Sequence, residues 1–551
     1  MRLAGIYLNG SAPNASSALP VLNPKPKEDI SVSLTEVTPS VSKTEKSENK
    51  SLEIILSEFK ELVEEICALN AVNELASWDQ KTYMPSKGSE ERGWQMMNIS
   101  KISHRTFTSE KMGELLKQLE EPANFNKLNK IDQALVKEAS TNYKKAKNVP
   151  LALVQEISET TSNAYNVWVD AKKNNNFNDF APYLEKIVSL KKRYAEYIRY
   201  TGSPYNALLD DYEPGMTTEK LNEIFSKLKK ELVPIIKAIT ESKVKINDDF
   251  LNKSFDRNKL LAFVKVILEQ IGFDFSKGRM DETEHPFCIS LAPNDGRITT
   301  HTYENDLLSS ISAPTHETGH WLYGEGMDKD LYKTFLYDGA SLGIHESQSR
   351  LQETIIGQGL PFWKHFFPIL KQTFPEELKG VELEDFYKAV NIVEPSFIRI
   401  KADEVTYQMH IIIRWEIERD LFEGKIQAKD LPDIWNNKMQ DYLGITPETN
   451  SQGVLQDVHW SMGAFGYFPT YTLGNLYAAQ FYNTAKKEIP NLEEKFSNGD
   501  FMTLRNWLRE KIHKYGKTET PSQIAKRVTG EELNPDYFIA YIKDKYSKIY
   551  P

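Results

Sequence analysis

From Ser51 onward, apolar residues recur every three or four positions: Leu52, Ile55, Phe59, Leu62, Ile66 and Leu69 share one face of a 3.6-residue period. The pattern returns over Lys127–Ala146, Val154–Ala171, Tyr183–Tyr200, Thr218–Ile239 and Arg257–Ile271. Segments patterned this way must bury helical stripes against one another, with their Lys and Glu runs as solvated faces, so the first half reads as packed helices. A chain of 551 residues has room for three or four domains or for one large helical enzyme. No apolar run approaches the roughly 18 residues of a membrane span, so no membrane partner is expected.

Composition narrows the chemistry. With 68 basic and 78 acidic residues the net charge is −10, which works against a phosphate-tracking nucleic-acid partner. Cys67 and Cys288, the only cysteines, cannot build a thiolate zinc cluster or a disulfide framework, so a metal site must use His and carboxylate. Residues 1–50 hold 8 Ser, 5 Pro and 3 Thr with no Phe or Trp, and read as a disordered extension. Its first 27 residues carry Arg2, Lys25 and Lys27 without an acid, faintly like a transit peptide. The expected division is an extension over 1–50 and a helical catalytic domain over 51–551, cytoplasmic, with an organellar compartment as the alternative.

One segment breaks the helical rhythm. Phe287–Leu291 and Arg297–Tyr303 alternate β-forming residues around Pro293-Asn294-Asp295-Gly296, which predicts a β-hairpin.

Eight of the ten histidines lie between His285 and His459, and among them stands His316-Glu317-Thr318-Gly319-His320. On a helix, positions i and i+4 share a face, so two imidazoles can grip one ion while Glu317 leans toward its open side. Ser312 is the expected cap, with Pro314 in the first turn. A third ligand must come from downstream, where Glu325, His345 and Glu346 stand. Glu325 follows His320 too closely to turn back. The turn at Tyr337-Asp338-Gly339-Ala340 lets a second helix return, and Glu346 on it completes a His2Glu site of the hydrolytic zinc type. His345, about 100° away, becomes a bracing or packing residue.

The sequence resembles the thermostable carboxypeptidase Taq family of zinc metallocarboxypeptidases. The likeness runs through His285-Pro286-Phe287, Asp295-Gly296-Arg297-Ile298-Thr299, the His316–His320 motif and His345-Glu346-Ser347-Gln348. It continues in Ile398-Arg399-Ile400-Lys401-Ala402-Asp403 and Gly453-Val454-Leu455-Gln456-Asp457-Val458-His459-Trp460, and Trp78-Asp79-Gln80 with Met84-Pro85 carries it from about Ser51 to the C-terminus. Gly296 loosens the loop around it in this reading. The resemblance implies an all-α, neurolysin-like fold with a deep central cleft and a small β-sheet near the active site. It also implies a homodimer and one Zn2+ per chain, for which Co2+ can substitute.

An exopeptidase acting at a C-terminus must hold a carboxylate, and a bidentate arginine does so. Arg399 and Arg297 are the candidates, although Asp403 at i+4 offers Arg399 a helix-surface ion pair. Asp403, Tyr407, His410 and Arg414 repeat at helical spacing as one polar face, lining a cleft or meeting solvent. His459, Tyr467 and Tyr471 are candidate donors to the oxyanion of a tetrahedral intermediate. The expectation is a zinc carboxypeptidase acting on peptides with a free C-terminus, with Glu317 and His459 in the chemistry. An endo-acting oligopeptidase on the same fold, or a non-catalytic scaffold, are the alternatives.

Overall fold

The computed structural model describes residues 51–551, so the expectation for residues 1–50 lies outside the described residues. Helix α1 (Leu52–Thr82) starts where Ser51 accepts from the Ile54 N–H, and its stripe Ile55, Phe59, Val63 and Ile66 is buried. Leu62 and Leu69 of the expected stripe fall at its half-buried edge. Helix α2 (Ser89–Phe107) packs along α1. Then follow α3 (Lys130–Asn148), α4 (Leu151–Lys173), α5 (Phe177–Ile198), α6 (Thr218–Thr240) and α7 (Arg257–Ile271), each close to its periodic segment. Among the described residues, no helix is long and apolar enough to cross a membrane.

The expected hairpin is present as β2 (Cys288–Ala292) antiparallel to β3 (Asp295–Thr300), ending short of Tyr303. A further strand, β1 (Gly278–Glu282), pairs parallel to β3 and gives the order β1-β3-β2. Gly296 does not loosen this region. It is a buried strand residue, and a Cβ there would stand 2.3 Å from the Trp321 Nε1 atom, so glycine lets the indole close on the sheet.

Trp321 belongs to α8 (Leu307–Gly326), which carries the histidine motif. The cap is Asp306, accepting from the Ser309 N–H at 2.9 Å, and not Ser312; Pro314 therefore lies well inside the helix. The earlier start wins because Asp306 also binds the Ser309 hydroxyl at 2.6 Å and Leu307 and Ile311 are buried. Helix α9 (Leu342–Arg350) is capped by Ser341 and runs into a π-helical turn, Leu351–Ile356. It lies between α8 and α11 (Pro469–Glu488), with α10 (Tyr407–Phe422), buried over nearly its whole length, before α11 in the chain. Both contacts of α9 are made through glycine. A Cβ on Gly319 would meet the Gln348 carbonyl oxygen at 2.4 Å, and one on Gly474 would meet Glu346 Cγ at 2.6 Å. One apolar cluster runs from Ile55 to Ile549 and encloses Trp321, Trp363, Trp415 and Trp435.

Candidate active site

His316 and His320 sit one turn apart on α8 and face Glu346 of α9. Glu346 Oε2 is 3.6 Å from His316 Nε2 and 3.4 Å from His320 Nε2, and one donor atom from each residue fits within a 4.8 Å span. The far nitrogen of each ring is already engaged. His316 Nδ1 is 2.7 Å from Glu353 Oε2, which also accepts from Arg350 Nη1 at 2.6 Å, and His320 Nδ1 is 2.6 Å from His345 Nδ1. These contacts set both Nε2 atoms toward Glu346, as a metal site requires. Burial opposes ionisation of Glu353, but Arg350 and His316 hold its carboxyl down at about 2. Burial likewise opposes charge on Glu346, and His316, His320 and Arg350 keep it below the ordinary range. Burial would lower His316, but Glu346 and Glu353 carry it to about 9, the mark of a field that draws positive charge between these groups. Two imidazoles, each oriented from behind, and a carboxylate suit a divalent metal cation.

His345 thus lies behind His320; burial and then His320 lower it to about 3, so it is neutral. Glu325 is spent elsewhere, on Lys277 and Arg505. Glu317 is 7% exposed, and burial raises its carboxyl while His316 and His320 oppose the shift. Strand β2 packs against α8, and burial, then Glu317, raises its Cys288 thiol.

Arg399 departs from its expected setting. It lies on a 3-10 turn, Arg399–Lys401, ahead of α10, and its partner is not Asp403. Asp403 instead accepts from the N–H groups of Val405 and Thr406, leading into α10. Arg399 reaches across 58 residues, where Nε and Nη2 donate to Asp457 Oδ1 at 3.1 and 2.7 Å; Nη1 donates to the Tyr407 hydroxyl. Arg414 binds the other oxygen of Asp457 through Nε and Nη2. The expected polar face is therefore an interior one: His410 and Arg414 are fully buried. Burial opposes charge on Asp457, but the two guanidiniums hold its carboxyl far below the usual range.

His459, Tyr467 and Tyr471 come together beside Arg399. His459 Nε2 is 3.4 Å from the Tyr471 hydroxyl, the His459 and Tyr467 rings are 5.3 Å apart, and the Arg399 guanidinium lies 5.0 Å above the Tyr471 ring. Burial lowers His459 to about 4 and raises Tyr467 to about 12, so at neutral pH the imidazole is uncharged and the phenol keeps its proton. Arg297 belongs to the sheet, paired with Asp295 at 3.0 Å and stacked 4.2 Å over Trp78 of α1.

Residues 58–546 match the family described as Carboxypeptidase Taq (M32) metallopeptidase. The chain belongs to this family. It is accordingly a metal-dependent carboxypeptidase, a peptide hydrolase. The M32 likeness extends to Carboxypeptidase 1 of Bacillus subtilis (strain 168), 41% identical across 90% of this chain and 98% of that protein. Thermostable carboxypeptidase 1 of Thermus thermophilus is 40% identical across 89% and 98%. The crystal structure of the M32 carboxypeptidase from Deinococcus radiodurans R1 superposes with a TM-score of 0.88 at 35% identity, covering 90% of this chain and 99% of that one.

Three residues of this M32 site have no role assigned from the sequence: Glu353, Arg350 and Asp457. Glu353 follows Glu346 by seven residues on one continuous helical path, a spacing that could have shown it. Asp457 lies inside a motif, but nothing local reveals that it binds Arg399 and Arg414.

Proposed function

We propose that the chain is a zinc carboxypeptidase in which His316, His320 and Glu346 hold the ion and Glu317 is the general base. The observation that carries this reading is the convergence of the His316 and His320 Nε2 atoms with Glu346 Oε2 within 4.8 Å, next to a buried glutamate. When bound, Zn2+ or Co2+ supplies Lewis acidity toward a water molecule and the scissile carbonyl. Glu317 takes the proton from the attacking water and passes it to the leaving amine; its burial keeps the carboxyl basic enough to do both. His459, Tyr467 and Tyr471 are uncharged donors on the Arg399 side, suited to the oxygen that gains charge. Removing one such donor typically costs about 3 kcal/mol of transition-state stabilisation.

Arg399 is the first candidate for the substrate C-terminal carboxylate and Arg297 the second. Asp457 fixes the Arg399 plane, and two of its N–H groups stay uncommitted among the described residues. One observation favours a second reading. Each arginine already holds an aspartate, Asp457 or Asp295, so an endo-acting oligopeptidase that needs no carboxylate clamp fits the same site. Digestion of free and amidated peptides separates the two. The proposal also includes residues 51–551 as the catalytic domain, residues 1–50 as an extension, a homodimer as the family resemblance implies, and a cytoplasmic setting, with an organellar one as the alternative.

A further inference from the structure

A cavity of about 670 Å³ lies among α2, α3, α4, α5 and the segment Lys517–Gln523, and none of the proposed metal-site residues lines it. Its wall contains Lys191 of α5, which is 6% exposed. The Lys191 stem passes under Gly463, and its ammonium stands 5.2 Å over the Tyr194 ring. That ammonium makes no hydrogen bond or ion pair among the described residues. The nearest counter-charge, Asp211, is already engaged by Lys145 and the Tyr194 hydroxyl, and burial lowers the Lys191 pKa although Asp211 opposes the shift.

The lining holds five lysines, Lys191 included, against four carboxylates, an excess of one positive charge. Asp210 and Asp211 are bound by Lys145, Glu138 by Lys517 and Glu519 by Arg527. Lys130 and Lys137 also line the space, and neither makes an ion pair among the described residues. Between the charges, apolar Phe107, Ala134, Val154, Ile157 and Ala340 share the wall with polar residues such as Gln133, Thr141 and Asn142. A pocket of this volume with one largely buried cation and an apolar patch of Phe107, Val154 and Ile157 in its wall matches a small molecule that has an anionic head and a hydrophobic body.

We infer that this cavity binds a small organic anion, a carboxylate or a phosphate, whose head pairs with Lys191 and whose body packs on Phe107, Val154 and Ile157. The site adjoins the catalytic framework. Ala340 lies in its wall, donates its N–H to the Tyr323 hydroxyl of α8 at 3.1 Å, and precedes Ser341, the cap of α9. An occupant therefore touches the start of the helix that carries Glu346.

The test uses metal-loaded, full-length protein titrated calorimetrically with 4-bromobenzoate and with phenyl phosphate, and crystals soaked with 4-bromobenzoate. At least one probe should bind once per chain, survive His316→Ala, and weaken about tenfold or more in Lys191→Met. The tighter head group identifies the natural class. The bromine anomalous peak should lie in the cavity, a readout that stands even if Lys191→Met does not fold. Binding lost in His316→Ala, binding unchanged in Lys191→Met, a bromine peak only elsewhere, or no binding by either probe would overturn the assignment.

Discussion

The Nδ1 atoms of His320 and His345 lie 2.6 Å apart, so one ring must donate and the other accept. A neutral His345 that accepts leaves His320 protonated on Nδ1 and its Nε2 lone pair facing Glu346. In the proposed site His345 therefore orients His320 without itself holding the ion. His345→Ala should weaken metal binding about 10- to 100-fold yet still reach full occupancy at saturating metal. His316→Ala, His320→Ala and Glu346→Ala should each abolish tight binding and hydrolysis. Chelator competition measures both; full zinc in Glu346→Ala with none in His345→Ala would reverse the ligand assignment.

Glu317→Gln keeps size and helix propensity and removes the base. Metal content should be unchanged, while kcat falls by several orders of magnitude through lost proton abstraction and delivery. Turnover near the wild-type rate would remove Glu317 from the mechanism.

Gly319→Ala probes the contact between α8 and α9. The new methyl meets backbone, the Gln348 carbonyl oxygen at 2.4 Å and Ser349 Cα at 2.5 Å, so the helices must part and carry Glu346 with them. A loss of about 1 to 3 kcal/mol is expected, with weaker metal binding. Gly93→Ala on α2, where a Cβ meets nothing within 4 Å, should instead be neutral or stabilising. Equal melting temperatures for the two variants would contradict the packing account.

Glu213 accepts from the Gly343 N–H at 3.1 Å and from the Tyr477 hydroxyl at 3.0 Å, bracing the start of α9. Burial raises its carboxyl from 4.5 to about 7, so the folded chain holds a proton that the unfolded chain releases. That preference favours folding most below pH 4.5 and is lost as pH rises through 7, a contribution of up to about 3 kcal/mol. Unfolding midpoints from pH 5 to 8 should fall less steeply in Glu213→Gln than in wild type, and identical slopes would exclude Glu213 as the source.

What was legible in the sequence were contacts set by local spacing. His316 and His320 follow from a helical turn, Glu346 from the turn at Tyr337–Ala340, and the hairpin from Pro293–Gly296. Strand β1, Gly-Arg-Met-Asp-Glu, has no alternation to betray it and exists only because β3 offers an edge. The Arg399–Asp457–Arg414 cluster was hidden for a similar reason, since Asp403 is the nearer partner in sequence and the chain uses it to lead into α10. Pro314 misplaced the start of α8 because a proline inside a helix costs about 3 kcal/mol in isolation, a cost that burial of Leu307 and Ile311 offsets here.

Removal of residues from a free C-terminus is tested most directly by mass spectrometry of digests of one peptide with a free or an amidated end. Metal-loaded protein should give a ladder shortened one residue at a time from the free form and leave the amidated form nearly intact. Arg399→Ala should lose about 2 to 5 kcal/mol of transition-state binding, roughly 30- to several-thousand-fold in kcat/KM, and discriminate far less between the two. Equal cleavage of both peptides at internal bonds would contradict the account and leave an endo-acting oligopeptidase in its place.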